Sequence, residues 1–576
     1  MISINETGFL PDALKLAVSD RPGTFHVIDD SEGHPLDTVV TVTEKGFDET
    51  AGSEVYKLDF SDLTAPGVYH LESDNGDRSA GFKIEPHVYR TLKNSLLKFF
   101  YFQRCGCALE KKYAGIFEHG ICHTGAVKNP DTNERLTIPK GWHDAGDYGR
   151  YTSAGSVAVA HMLYAYELFP EAFKESVNIP ESGNGIPDLL NECRYELDFL
   201  SKMQAEDGGL HHKVTTFVFC DFIMPEDDTE EQVLFPVTSM STADFAAVMC
   251  IASRVYEAFD PSFARECMHQ AYLAGQWLLE HPENTDFHNP PGSNTGEYTD
   301  PCDLDERMWA FAELLRTDHD TLLKDDRSLK TAAAGQGSRQ DRYLAHLTAA
   351  YDLYTRDHPH SDGRSVDDGM GWQDVSSLAA LAVVFDPANI AGDEFRQKMT
   401  DLLMERADAF YEMQQDGYPL SMKKQDFVWG SNMLVSNRAD VLILASLISS
   451  KGVLPAGEMG GKTKSAGAYE TAALNHIHYL LGMNAMETSY VTGFGEHAFR
   501  DPHNRVAIAD NIVQPIPGEL SGGPCYLLSD EEIIKVADSS TPVQKCYADH
   551  HLSYSTNEIA IYWNSSLLFA VAYFDR

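Results

Sequence analysis

The hydrophobic pattern of this chain changes period once, near Val88, and that change constrains the fold more than any other feature. Up to about residue 86 the apolar residues alternate in short runs: Leu14-Lys-Leu-Ala-Val, Thr24-Phe-His-Val-Ile, Thr38-Val-Val-Thr-Val-Thr, Val55-Tyr-Lys-Leu-Asp-Phe, Gly67-Val-Tyr-His-Leu and Ala80-Gly-Phe-Lys-Ile. A period of two, punctuated by turn-rich pieces such as Asp74-Asn-Gly-Asp, predicts roughly five to seven strands in a small sandwich. From Leu92-Lys-Asn-Ser-Leu-Leu-Lys-Phe-Phe-Tyr-Phe onward the apolar residues recur at helical spacing. Further helix-like blocks are Tyr151 to Phe169, Ile186 to Met203, Ala246 to Phe259, Glu306 to Thr317, Tyr343 to Arg356, Glu394 to Gln414, Ala439 to Ser449, Ala468 to Leu481 and Trp563 to Phe574. Residues 1–86 therefore read as a β-sandwich and residues 87–576 as one large all-α domain. A toroid of helical hairpins would gather its long loops on a common rim, where sites collect. With no low-complexity linker between them, the sandwich is expected to pack directly on the helices.

Charge narrows the partners. Acidic residues outnumber basic ones by 87 to 45, a formal charge of −42. Such a balance argues against nucleic acid or an anionic membrane surface as partner. It suits solubility in a salty environment or, alternatively, attraction of a cationic substrate such as an amino sugar. No run of apolar residues is long enough to span a bilayer. The start, Met1-Ile-Ser-Ile-Asn-Glu-Thr-Gly-Phe, carries neither a basic n-region nor an apolar h-region, so a cytoplasmic location is expected. Ten cysteines in 576 residues do not form a disulfide scaffold; Cys193, Cys250 and Cys267 lie within helical patterns and read as core residues.

Two segments carry chemistry. Gly141-Trp142-His143-Asp144-Ala145-Gly146-Asp147-Tyr148-Gly149 places two carboxylates three residues apart in a Gly-rich turn before a helix. Near the other end, Tyr554-Ser-Thr-Asn557-Glu558-Ile-Ala560 sets a lone carboxylate among aromatics and amides. Two carboxylate centres on facing loops are the minimum equipment for hydrolysing a glycosidic bond: one protonates the leaving oxygen while the other activates water. Alone, the D-x-x-D spacing fits turn chemistry or calcium equally well.

Taken together with Asn5-Glu-Thr-Gly8-Phe-Leu-Pro11, Gln103-Arg-Cys105-Gly106, Ile186-Pro-Asp-Leu-Leu190, Gly296-Glu-Tyr298, Asp305-Glu306-Arg-Met-Trp309, Trp429-Gly-Ser-Asn432, His503-Asn-Arg505 and Tyr547-Ala-Asp549, these segments resemble glycoside hydrolase family 9. The likeness runs the length of the chain and is to the subgroup with an N-terminal immunoglobulin-like domain. It implies a β-sandwich followed by an (α/α)6 barrel, and an inverting β-1,4-glycosidase needing no cofactor for catalysis. Carried over residue by residue, it makes Asp147 the general base, Asp144 its helper and Glu558 the general acid, with Ile559, Tyr562 and Trp563 supplying a desolvating surround. His503 and Arg505 would donate hydrogen bonds to sugar hydroxyls, while Trp429, Tyr554 and Trp563 would supply aromatic surface for the sugar.

The same resemblance implies a structural zinc held by Cys105, Cys122, His123 and His143, a Cys2His2 set that could brace the catalytic loop. Calcium near Asp305-Glu306 is left open, because Pro301-Cys302 departs from the family pattern. So does Gly495-Glu496-His497-Ala498-Phe499-Arg500, which puts an ordinary cellulose specificity in doubt. With no export signal and no cellulose-binding module, short imported oligosaccharides are the expected substrates. The chain resembles a cytoplasmic marine-bacterial branch acting on glucosamine or glucose disaccharides. An exo-β-glucosaminidase with cellobiase activity is therefore expected, with an endo-β-1,4-glucanase as the alternative. A non-catalytic sugar-binding protein or an isomerase on the same toroid fits the carboxylates less well.

Overall fold

The computed structural model describes residues 1–31, 33–317, 338–357, 364–414, 417–451 and 464–576. They divide into two compact units, one of Met1–Phe99, Gly363–Val366 and Arg406–Arg576, the other of Phe100–Asp362 and Asp367–Glu405.

The first unit opens with nine strands: β1 (Ile2–Ser3), β2 (Gly8–Phe9), β3 (Leu16–Ser19), β4 (Phe25–Asp29), β5 (His34–Val39), β6 (Thr41–Asp48), β7 (Ser53–Asp59), β8 (Gly67–Ser73) and β9 (Phe82–Ile84). They form two sheets, in the orders β1-β3-β7-β6 and β2-β9-β8-β4-β5. The alternation seen in the sequence supplies their shared core, where Phe9 meets Phe60 and Phe82 edge-on with centroids 5.3 and 5.4 Å apart. The run Thr38–Thr43, read from sequence as one strand, is instead broken at Val40, and its halves join different sheets. Pro35 is tolerated because β5 is an edge strand.

The sandwich does pack on helices of this unit. Phe9 stands edge-on to His478 at 4.9 Å, Asp48 Oδ2 accepts the Tyr418 N–H at 2.8 Å, and Lys57 Nζ reaches the Gln414 carbonyl. The helix Ser431–Lys451 touches both Ala466–Leu480 and Ile561–Phe574. Among the described helices it alone is long and apolar enough to cross a membrane, yet 89% of that stretch is buried within the chain. Two of its interior polar groups are held: Arg438 Nη1 lies 2.9 Å from Asp426 Oδ2, with both side chains fully buried, and Asp440 Oδ2 accepts from the Ser566 hydroxyl. Lys93, on the helix Arg90–Phe102, closes on Asp575 Oδ2 at 2.6 Å.

In the second unit the helices Thr152–Leu168 and Ser239–Tyr256 are buried almost all round. Leu304–Arg316, likewise buried from Asp305 to Leu315, packs beside Ser239–Tyr256, and Asp188–Met203 and Pro261–Glu280 pack beside these helices with one polar face each. A small sheet that the periodicity did not reveal joins Arg150–Tyr151 to Lys213–Thr216 and Gln232–Leu234. It sets the residue that follows the catalytic-type loop beside Lys213, since Tyr151 pairs directly with it.

Candidate active site

In the second unit, Asp144 and Asp147 sit on a non-helical loop that ends where the helix Thr152–Leu168 begins. Both are buried, at 1% and 7% exposure. The loop is closed on itself, because the Asp144 N–H donates to the Gly149 carbonyl and the Gly149 N–H donates to Asp147 Oδ2 at 2.9 Å. Tyr151 Oη donates to the same Oδ2 at 3.0 Å. Both hydrogen bonds found for Asp147 therefore fall on Oδ2, which leaves Oδ1 as the oxygen able to accept from water.

Tyr298 Oη donates to Asp144 Oδ2, and its ring lies 4.8 Å from Tyr151 on one side and 4.8 Å from Trp372 on the other. Behind them Lys213 Nζ binds Asn289 Oδ1 at 2.7 Å, Thr295 Oγ1 and the Gly296 carbonyl. Burial pulls this lysine down to about 7 against the opposing pull of Asp147. Sequence reading placed Tyr298 in a motif but did not give it a role, and missed Tyr151, Lys213 and Trp372. Lys213, Tyr298 and Trp372 come from segments far along the chain, a proximity that no local spacing encodes, whereas Tyr151 turns back on Asp147 only four residues away.

Behind the same loop stand Cys105, Cys122, His123 and His143, whose ligand atoms all lie within 4.8 Å of one another. Cys105 Sγ is 3.5 Å from His123 Nδ1, His143 Nε2 is 3.4 Å from His123 Nδ1, and Cys122 Sγ is 3.9 Å from His143 Nε2. A tetrahedral zinc with Zn–N of about 2.0–2.1 Å and Zn–S of about 2.3 Å sets ligand atoms roughly 3.3–3.8 Å apart, so this donor set fits that metal. Outer partners are present too: His123 Nε2 meets Asp228 Oδ2 at 3.2 Å, and the Gly106 N–H points at Cys122 Sγ. Near Asp305 and Glu306, Asp244 and Asp300 join a buried acidic cluster in which desolvation raises all four carboxyls, Asp300 to about 7.

In the first unit, Glu558 follows the short turn Tyr554–Asn557 and precedes the helix Ile561–Phe574. Its backbone is pinned, since it pairs with His503 in a parallel bridge and its carbonyl accepts the Gly522 N–H at 2.7 Å. Trp429, 48% exposed, donates its Nε1–H to Glu558 Oε2 at 3.1 Å, and its ring lies 5.0 Å from that of Tyr554. His503 Nδ1 donates to the His551 carbonyl at 2.7 Å. That bond fixes the tautomer: in the neutral ring Nε2 accepts, so the expected donation to a sugar hydroxyl needs the charged form. Arg505 begins the helix Arg505–Ala509, capped by Asn504.

Trp563 departs from expectation. At 3% exposure it lies under the backbone of Gly430 and Gly522, where a Cβ on either glycine would come within 3.1 and 3.2 Å of its ring, respectively. A covered indole offers no face to a sugar; it supports the Trp429 turn instead.

Comparison with known proteins agrees with this arrangement. Residues 89–571 match the model of glycosyl hydrolase family 9, and residues 1–78 match that of the cellulase N-terminal ig-like domain. A cellodextrinase of Butyrivibrio fibrisolvens is 37% identical over 99% of both chains, and endoglucanase D of Acetivibrio thermocellus is 32% identical over all of this chain and 83% of its own. The crystal structure of a thermostable endoglucanase from Alicyclobacillus acidocaldarius covers 100% of this chain and 99% of its own, with a TM-score of 0.85 at 33% identity. The fold is thus an immunoglobulin-like sandwich followed by an (α/α)6 barrel, and the chain belongs to glycosyl hydrolase family 9.

Proposed function

We propose that this glycoside hydrolase acts by inversion on short β-1,4-linked glucose oligosaccharides, cello-oligosaccharides above all. The observation that supports this most is the end-to-end similarity to a cellodextrinase, joined to an exposed indole held directly on the carboxyl of Glu558. Trp is a donor only, and a carbonyl-type oxygen accepts better than a hydroxyl, so its bond to Oε2 favours placing the proton of neutral Glu558 on Oε1. Oε1 then delivers that proton to the leaving glycosidic oxygen. Asp147 takes a proton from water through Oδ1, Asp144 shares in orienting that water, and the attack inverts the anomeric centre. Zinc at Cys105, Cys122, His123 and His143 would serve structure by holding the loop that carries both aspartates.

Glucosamine disaccharides, the substrate favoured by sequence, take second place: their support is the formal charge of −42, whereas the relatives' names speak of glucans. A substrate panel separates the readings. Cello-oligosaccharides should be cleaved fastest, with α-configured product seen first by NMR, and Glu558→Gln should lower kcat on them at least about a hundredfold. Fastest release from the glucosamine dimer would reinstate the exo-glucosaminidase. Falling viscosity of carboxymethyl cellulose with little monosaccharide would make the enzyme an endoglucanase, and first-formed β product would exclude inversion.

A further inference from the structure

The departure at Gly495–Arg500 contacts the sandwich. Glu6, only 2% exposed in its side chain, accepts two hydrogen bonds from one residue: Oε2 takes the His497 N–H at 2.8 Å and Oε1 meets His497 Nδ1 at 2.9 Å. In return the loop's own carboxylate, Glu496 Oε1, accepts the Gly81 N–H of the sandwich at 3.0 Å. Two glycines make room for this crossed arrangement. Gly495 has φ +118° and a Cβ there would lie 2.5 Å from Glu6 Oε2; Gly482 has φ +119° and a Cβ would lie 2.8 Å from Glu6 Cγ. Both backbones are therefore shaped around the Glu6 side chain, in a conformation that side-chain-bearing residues rarely adopt.

The loop leads straight to the acid. Buried Phe499 anchors it, and the N–H groups of Arg500 and Asp501 both donate to Asp549, at 2.9 and 3.0 Å. Asn557 Nδ2 donates to the Asp501 carbonyl and to Asp549 Oδ1, while the His503 N–H donates to the Asn557 carbonyl. Glu558 follows Asn557 and pairs with His503. Every link from Glu6 to Glu558 is a hydrogen bond or a stretch of a few residues.

We propose that Glu6 is a positioning residue for catalysis: through His497 and the Asp549–Asn557 link, the sandwich sets where the acid Glu558 and the neighbouring His503 stand. The proposal rests on the assignment of Glu558 as general acid. A misplaced acid should matter most where the leaving group needs its proton and least where it does not.

The test compares cellotetraose with dinitrophenyl β-cellobioside, whose leaving group departs without protonation. Glu6→Ala should lower kcat on cellotetraose about tenfold and on the aryl substrate less than about threefold, with KM little changed. Glu6→Gln, which can still accept the His497 N–H, should keep kcat within about twofold of the parent. If Glu6→Ala gives no soluble protein, Glu496→Ala, made at an exposed side chain, carries the same comparison. Equal loss on both substrates, or no loss, overturns the positioning role while Glu558→Gln still shows the selective loss. A Glu558→Gln variant that loses both substrates equally instead removes the acid assignment, and the proposal with it.

Discussion

At the scale of single residues, the two oxygens of Glu558 are made unequal by one indole N–H. Trp429→Phe keeps an aromatic face and deletes that donor, which weakens the preference of the proposed acid's proton for Oε1. A tenfold fall in kcat on cellotetraose is expected, about 1.4 kcal/mol, with KM nearly unchanged; Trp429→Ala should raise KM as well, because the stacking face goes too. Unchanged kcat in the phenylalanine variant would detach Trp429 from proton placement. Asp144, Asp147 and Glu558 stand out in the sequence because each lies inside a compact motif. Trp563 was misread because a motif fixes neighbourhood, not exposure: it falls on a helix whose every side is covered. Tyr298 was passed over as a partner since its bond to Asp144 spans 154 residues and exists only once distant segments meet; Tyr151, four residues from Asp147, was passed over because a sequence does not show which way a ring turns.

Elements show the same division. The switch from strand to helix period near Val88 lies just before the first helix, Arg90–Phe102, and most of the long helical blocks recur in the fold with ends moved by a few residues, although Ser239–Tyr256 and Ser431–Lys451 begin well before the predicted Ala246 and Ala439 and Pro261–Glu280 was not read. Two-residue strands such as Arg150–Tyr151 carry too few positions to express a period. The loop bearing Asp144 and Asp147 lacks regular structure, so its shape must come from what grips it. Its backbone is tied to Gln103 and Cys105: the His143 N–H donates to the Gln103 carbonyl at 2.7 Å, and the Cys105 N–H donates to the Gly141 carbonyl at 2.8 Å. Metal analysis should find about one zinc per chain, and prolonged chelation should lower both Tm and kcat, since metal binding is coupled to the order of its ligands. Cys105→Ser should do the same without chelator. Full activity and an unchanged Tm in zinc-free protein would leave the four ligands without a structural role.

For the molecule as a whole, buried imidazoles predict how it responds to acid. His161, His212 and His476 are pushed down to about 4, and His478 to about 3, by burial; for His478 the charge of Lys15 adds to the effect. Neither ring nitrogen of His478 has a hydrogen-bond partner among the described residues. The unfolded chain takes up protons at these groups below about pH 6.5 whereas the folded chain does not, so their contribution to stability is full above that pH and is lost as pH falls toward 4. Each group costs about 2 kcal/mol at about pH 5. The raised carboxyls Asp244, Asp300, Asp305 and Glu306 act in the opposite sense, so the test is differential: between pH 7 and 5 the Tm of His478→Leu should fall less, or rise more, than that of the parent, and an identical pH dependence in the variant would place the acid sensitivity elsewhere.

The clasp between Glu6 and His497 spans 491 residues of sequence, and it has a consequence for how the enzyme comes into being. On a ribosome adding roughly 5–20 residues per second, Glu6 is made about 25–100 s before its counterpart on the loop. Throughout that interval the docking face of the sandwich, with Glu6, Phe9 and Asp48, waits for partners not yet synthesised. Glu558, the proposed acid, follows later still, so hydrolytic competence awaits a segment translated long after the sandwich, and the nascent chain has most need of chaperone cover at the sandwich's docking face.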